Sequence, residues 1–239
     1  MKPLERLRLE KAAADCGFEL TPALLDDGGL ELRSAQFPEA IVVRVDGAGF
    51  SISASAVMLL EASGNGVIMA ADLGQLYATL QRASAIARTM PNRVADQFRR
   101  EKQCLPQSTD AERLVVQRVG QDLFRRALFD YWDGRCCVTG LAIPSLLRAS
   151  HIKPWAKCES DDERLDVFNG LLLAPHVDAL FDCGWISFTD QGCLLVSEAL
   201  PPSAMAQLGV SSSWIVHNLK STHMPYLTFH RKNQFRKSL

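Results

Sequence analysis

The sequence predicts a two-part α+β chain: a small N-terminal α/β module followed by a larger α+β domain. Three observations predict it. A helical opening gives way to a turn-rich stretch of β-forming runs, and a polar segment with Pro106, residues 103–108, breaks all periodicity. Beyond it, a long amphipathic stretch leads into a strand, loop, strand and helix pattern. The expected division is therefore 1–102 and 109–239, with 103–108 as linker.

Each element follows from its residues. Leu4, Leu7, Leu9, Ala12 and Ala13 recur among charges at helical spacing, and Gly17 supplies a stop, so residues 3–16 read as a helix. From Glu19 to Ala56, Gly-Gly and Asp-Gly turns separate the runs 30–32, 40–45 and 50–54, which read as a small antiparallel sheet. Asp72 and Gln75 have capping-box spacing before a helix over 73–89, and a basic helical stretch, 93–102, follows Pro91. Thr109 and Glu112 repeat that spacing. They precede a helix with Val116, Val119, Leu123, Ala127, Leu128 and Tyr131 on one side and Arg118, Asp122 and Arg125 on the other, ending near Asp133-Gly134. Extended runs are expected at 136–139 and 146–152. The charged stretch 153–166 is too polar for a core element and reads as a long loop. Asn169-Gly170 opens the apolar run 171–173, Pro175 starts a helix to Asp182, and Gly184 closes it. Runs 185–189 and 193–197, joined through Asp190-Gln191-Gly192, read as a hairpin.

Charge is unevenly placed. Residues 1–80 carry 6 basic against 11 acidic groups, and residues 81–239 carry 20 against 16, so −5 and +4 sum to the net −1. No acidic residue follows Glu198, while Lys220, Arg231, Lys232, Arg236 and Lys237 make the C-terminal stretch basic, which suits a polyanionic partner or a solvated tail. The seven cysteines are odd in number and lack a C-x-x-C pair, so they read as structural thiols of a reducing cytoplasm. No apolar run approaches the length of a membrane span, and the first ten residues carry charge where a signal peptide needs an apolar core.

The chemistry concentrates in one ordered pattern. Ser150-His151-Ile-Lys-Pro-Trp155 ends the first extended run, Glu163-Arg-Leu-Asp166 follows, and Asn169-Gly-Leu-Leu-Leu-Ala-Pro-His-Val-Asp-Ala-Leu-Phe-Asp182 spans the second run and its helix. This combination resembles the HNH (ββα-metal) endonuclease family, in its bacterial restriction-type branch, over about residues 109–200. The C-terminal Tyr226, His230, Arg231 and Phe235 are similar to that branch as well. The resemblance implies a His-Me finger fold and hydrolysis of DNA phosphodiester bonds, in restriction or defence. It makes His151 the general base, and Asn169 the side chain that braces the histidine's loop, grouped with it as catalytic. Asp178 stands at the family's metal-ligand position with His176 as a second candidate, and the cofactor implied is a divalent ion, Mg2+ or Mn2+. Ser150 stands where relatives carry a stronger ligand, and Asp182 reads as a helix-end residue. Arg148, Lys153, Arg164 and Arg231 are the candidate nucleic-acid contacts, each also readable as ordinary surface charge. The partner expected is double-stranded DNA, with a homodimer where both strands are cut and no membrane. Two alternatives stand beside this: a nucleic-acid-binding protein without activity, and an RNase-type toxin.

The physical logic is independent of the name. Phosphodiester hydrolysis needs a water, a base for its proton, and positive charge at the oxygens that gain electron density. Histidine supplies the base near neutral pH, and two strands with a helix hold the parts rigidly.

Overall fold

The computed structural model describes residues 3–47, 49–60, 66–90, 92–103 and 110–236, with 110–113 described by backbone only. The chain divides into two compact units, Met1–Arg88 and Thr89–Leu239.

The first unit opens with helix α1 (Pro3–Asp15) and continues as an antiparallel sheet in the order β1 (Ala23–Leu24), β2 (Leu30–Leu32), β3 (Ile41–Asp46), β4 (Gly49–Ala54) and β5 (Val67–Ala70). Alternation sorts its faces: Leu30, Leu32, Ile41, Val43 and Ile52 are fully buried, while Glu31, Val42, Arg44, Ser51 and Ser53 keep partial contact with solvent. Helix α2 (Leu73–Thr89) adds Leu76, Leu80 and Ala83 to the core. Its start shows the expected cap, with Gln75 N–H donating to Asp72 Oδ1 at 2.9 Å and Ala71 N–H to Gln75 Oε1 at 2.9 Å. Strand β5 was not expected from sequence, although the turn signal Gly64-Asn65-Gly66 directly precedes its four residues.

The second unit begins earlier than the expected boundary. Helix α3 (Arg93–Gln103) buries Val94, Ala95 and Phe98 in the same core as helix α4 (Asp110–Tyr131), so this basic stretch belongs with the second half. The expected linker lies almost wholly at 104–109, outside the described residues, as does the Thr109 cap. The core gathers Leu123, Phe124, Ala127, Leu128 and Tyr131 of α4 with all of β7 (Gly170–Leu173) and the inner face of α6 (Pro175–Asp182).

Residues 136–139 form a turn rather than the expected extended run: Gly140 N–H returns to Cys136 O at 2.9 Å, and Gly140 has φ 73°. Strand β6 (Arg148–His151) pairs antiparallel with β7 in the register Arg148↔Leu173, Ser150↔Leu171 and His151↔Gly170. Between them, the expected loop contains a 3-10 turn at Trp155–Lys157 and one turn of helix, α5 (Asp161–Arg164). The hairpin β8 (Ile186–Phe188) and β9 (Leu194–Val196) forms in the register Ile186↔Val196. Helix α7 (Pro202–Gln207) follows, and α8 (Met224–Asn233) closes the unit.

The basic C-terminal stretch is packed structure. Arg231 donates to Phe188 O at 2.8 Å and Asp190 Oδ1 at 2.7 Å, and Arg236 lies 4.0 Å over the Trp185 ring with its Nε on Cys183 O. A Cβ at Gly184, where φ is 72°, would fall 2.0 Å from Gln234 O, so this glycine lets the chain end pass against the end of α6. Six cysteines are free thiols; Cys104 lies outside the described residues. No described helix is long and apolar enough to cross a membrane.

Candidate active site

The β6–β7 register sets His151 opposite Gly170, and the ladder continues past it through Ile152 N–H to Asn169 O at 2.9 Å. The imidazole stacks on Phe124 of α4 at 3.9 Å with 12° between the rings, and Trp155 stands edge-on at 5.6 Å. Its Nε2 lies 2.8 Å from Arg164 O. A carbonyl only accepts, so Nε2 carries the hydrogen and Nδ1 the lone pair. Burial lowers the pKa of His151 to about 4, against the upward pull of the Arg164 carbonyl and Asp182.

Asn169 is fully buried and uses both ends of its amide. Oδ1 accepts Lys153 N–H at 2.7 Å, while Nδ2 donates to Lys153 O at 3.2 Å and Glu163 O at 3.1 Å. Those bonds pin the start and end of the 153–163 loop to the 3-10 turn Val167–Asn169 that leads into β7. Both ends of the Asn169 amide are thus taken up by protein groups. Asp166 secures the next step by accepting Phe168 N–H at 3.0 Å and the Tyr226 hydroxyl at 2.9 Å.

Helix α6 supplies two carboxylates one turn apart, Asp178 and Asp182. Burial raises the Asp178 pKa, an effect that Asp182 adds to and that Ser150 and Arg148 oppose. His176 is turned elsewhere, its ring 5.6 Å from Trp214, because successive residues of a helix face directions 100° apart. The structure thus sets Asp178 and Asp182 of α6 along β6, with Arg148 and Ser150 near Asp178 and His151 near Asp182, and leaves His176 out.

The expected Mg2+ or Mn2+ site is corrected by this donor set. Among the described residues no group of three or more His, Cys, Asp or Glu is placed to hold a metal ion. Asp178, the first candidate ligand, has no third donor of these kinds beside it among those residues, and His176, the second candidate, lies against Trp214. The residues present do not fit the divalent ion expected from sequence.

The candidate phosphate contacts also separate. Lys153 Nζ pairs with Glu163 at 2.6 Å and its side chain is 14% exposed, so its charge is already matched. Arg164 donates to Cys158 O at 2.7 Å and Asp161 Oδ1 at 3.1 Å, and Arg231 is held by the β8–β9 hairpin as described above. Arg148 is exposed, and its charged neighbour is Asp178. Arg125 braces the approach to β6 through Leu147 O at 2.9 Å and Pro144 O at 3.0 Å. Two further residues of the site were not read from sequence. Asp182 was legible in its i,i+4 spacing from Asp178; Phe124 carried no signal beyond its place on an amphipathic helix.

His230, placed near the site by resemblance, is a core residue: Nδ1 meets Ser187 Oγ at 3.0 Å, Nε2 meets Phe181 O at 3.1 Å, and the ring stacks on Phe181.

A histidine at a strand end, an asparagine bracing the loop that follows and a helix with acids along the same strand form a frame of two strands and a helix, and residues 136–189 match the family model described as HNH endonuclease. An HNH domain is present. No curated protein matches the chain. The HNH match begins at the Cys136 turn and ends just after β8, so it takes in β6, α5, β7 and α6, while α3, the whole of α4 and α8 lie outside it. An HNH domain carries nuclease-family function in general.

Proposed function

We propose that the second unit hydrolyses DNA phosphodiester bonds endonucleolytically, in restriction or another defence against foreign DNA, with His151 Nδ1 taking the proton of the attacking water. The observation that carries this reading is the orientation of His151 within the matched HNH region: its Nε2–H is committed to Arg164 O, and its lone pair is left for chemistry. Arg148, exposed at the start of the strand that ends in His151, is the first candidate for a phosphate. Cleavage of both strands is simplest with two copies, each carrying one site.

The test is cleavage of supercoiled plasmid by the full chain, with and without added divalent ions. His151→Ala should lower the rate by roughly two to four orders of magnitude while duplex binding stays unchanged. Wild-type turnover in that variant removes His151 from the mechanism. A second reading, nucleic-acid binding without cleavage, is favoured by the weak basicity that burial imposes on His151. Binding with no cleavage by the wild type selects it.

A further inference from the structure

We propose that Arg99 and Lys102 of α3 are positioning residues for His151, holding α5 so that the Arg164 carbonyl keeps the imidazole in one tautomer and orientation. The inference rests on the nuclease reading for its kinetic arm only.

Helix α5 is four residues long, capped by Ser160 Oγ on Glu163 N–H at 3.1 Å. A single turn has almost no stability of its own, because nucleation orders several residues for one hydrogen bond. Its place is therefore set by its anchors. Asn169 and the Lys153–Glu163 pair hold it from the β6–β7 side. From α3, Arg99 pairs with Asp162, and Lys102 Nζ lies 3.4 Å from Asp161. Asp161 in turn receives Arg164 Nη1 at 3.1 Å, and the carbonyl of that arginine receives His151 Nε2–H at 2.8 Å. The path from α3 to the imidazole thus runs from Lys102 through the Asp161 carboxylate and the Arg164 guanidinium to the Arg164 carbonyl, while Arg99 holds the neighbouring Asp162 of the same turn. Charge is ordered along it, basic on α3, acidic at the start of α5 and basic at its end.

These pairs are partly exposed, with Arg99 and Asp162 at 43% and 44% and Lys102 and Asp161 at 34% and 29%. Such pairs add little to global stability, so their loss leaves the unit folded and acts on the one-turn helix they hold. Misplacing a catalytic base by about an ångström is enough to slow a reaction by up to roughly a hundredfold.

The test uses the full chain labelled with 15N-histidine, in which the ring nitrogen shifts report the tautomer, and His151→Gln assigns the signal. Wild type should show Nε2–H alone at His151. The Arg99→Ala, Lys102→Ala double variant should show a mixture of tautomers, a kcat on plasmid lowered about tenfold, and a KM within about twofold of wild type. Arg99→Lys should keep most of the rate, and Asp162→Asn should reproduce the loss from the other side of the pair. Tryptophan fluorescence verifies that each variant is folded. An unchanged His151 spectrum in the folded double variant overturns the inference, whatever the activity. Wild type that cuts no nucleic acid overturns the nuclease reading instead and leaves the spectral comparison to decide the positioning role.

Discussion

Acidification should unfold the second unit through three histidines that fold neutral. Burial lowers the pKa of His151, His223 and His230 to about 4 each, against an ordinary value near 6.5. The unfolded chain therefore takes up three protons near pH 6.5 that the folded chain resists until near pH 4, so stability is full above pH 6.5 and is lost as pH falls through that window. At pH 5 the linkage amounts to about 2 kcal/mol per histidine, or about 6 kcal/mol together, on the scale of a whole domain's stability. Ordinary carboxylates titrate below about pH 4.5, so they add little in the upper part of the window. The assay is urea unfolding by tryptophan fluorescence between pH 7 and 5, which reads this unit alone because all four tryptophans, 132, 155, 185 and 214, lie in it. His223→Phe is the control. His223 sits among Tyr131, Trp132 and Phe168, with ring centroids 5.1 to 5.8 Å away, and a benzyl group fits that setting. It should remove about one third of the pH dependence. Stability that stays flat from pH 7 to 5, or a His223→Phe slope equal to wild type, refutes the reasoning.

Two further outcomes follow from the site's packing and charge. Gly170→Ala places a Cβ 2.6 Å from Phe124 Cζ and 2.7 Å from Leu128 Cδ2, so it should cost about 1–3 kcal/mol in urea unfolding and slow cleavage by shifting the ring on which His151 stacks. Arg148→Gln should flatten the salt dependence of duplex binding by about one unit of log–log slope while Arg231→Gln leaves it unchanged, and equal slopes for the two variants would show that exposure does not select the phosphate contact.

Much of the fold was legible because it is written in local chemistry. The helix over Leu73–Thr89 appears with its Asp72 and Gln75 cap, and Pro175 opens α6, since capping and proline geometry act within a few residues. The order His151, Asn169, Asp178 identified the nuclease pattern for the same reason: strand, turn and helix signals lie close together in the chain. Partner assignment was not legible. The basic stretch 93–102 reads as part of the first half until Val94 and Phe98 enter the second core, and the C-terminal stretch reads as a polyanion-binding or solvated tail until Arg231 finds the Phe188 carbonyl and Arg236 that of Cys183 at the end of α6. That Asp178 and His176 face different ways follows already from their spacing on a helix, whereas the neighbour of each does not: His176 meets Trp214, and Phe124 and Leu128 press against Gly170.

The sequence by itself determined most of the helices and strands and the HNH pattern of His151, Asn169 and Asp178, because periodicity, caps and residue order need no distant neighbour. Tertiary structure alone decided which nitrogen of His151 carries the hydrogen, that Arg148 is exposed, and that Lys153, Arg164, Arg231 and His230 are partnered within the fold. Those partners are not legible in residue type: the Arg164 carbonyl for His151, the Glu163 carboxylate for Lys153, and the distant Phe188 and Phe181 carbonyls for Arg231 and His230. A side chain's charge is a property of its residue type, whereas its availability is set by what the fold places within hydrogen-bond reach.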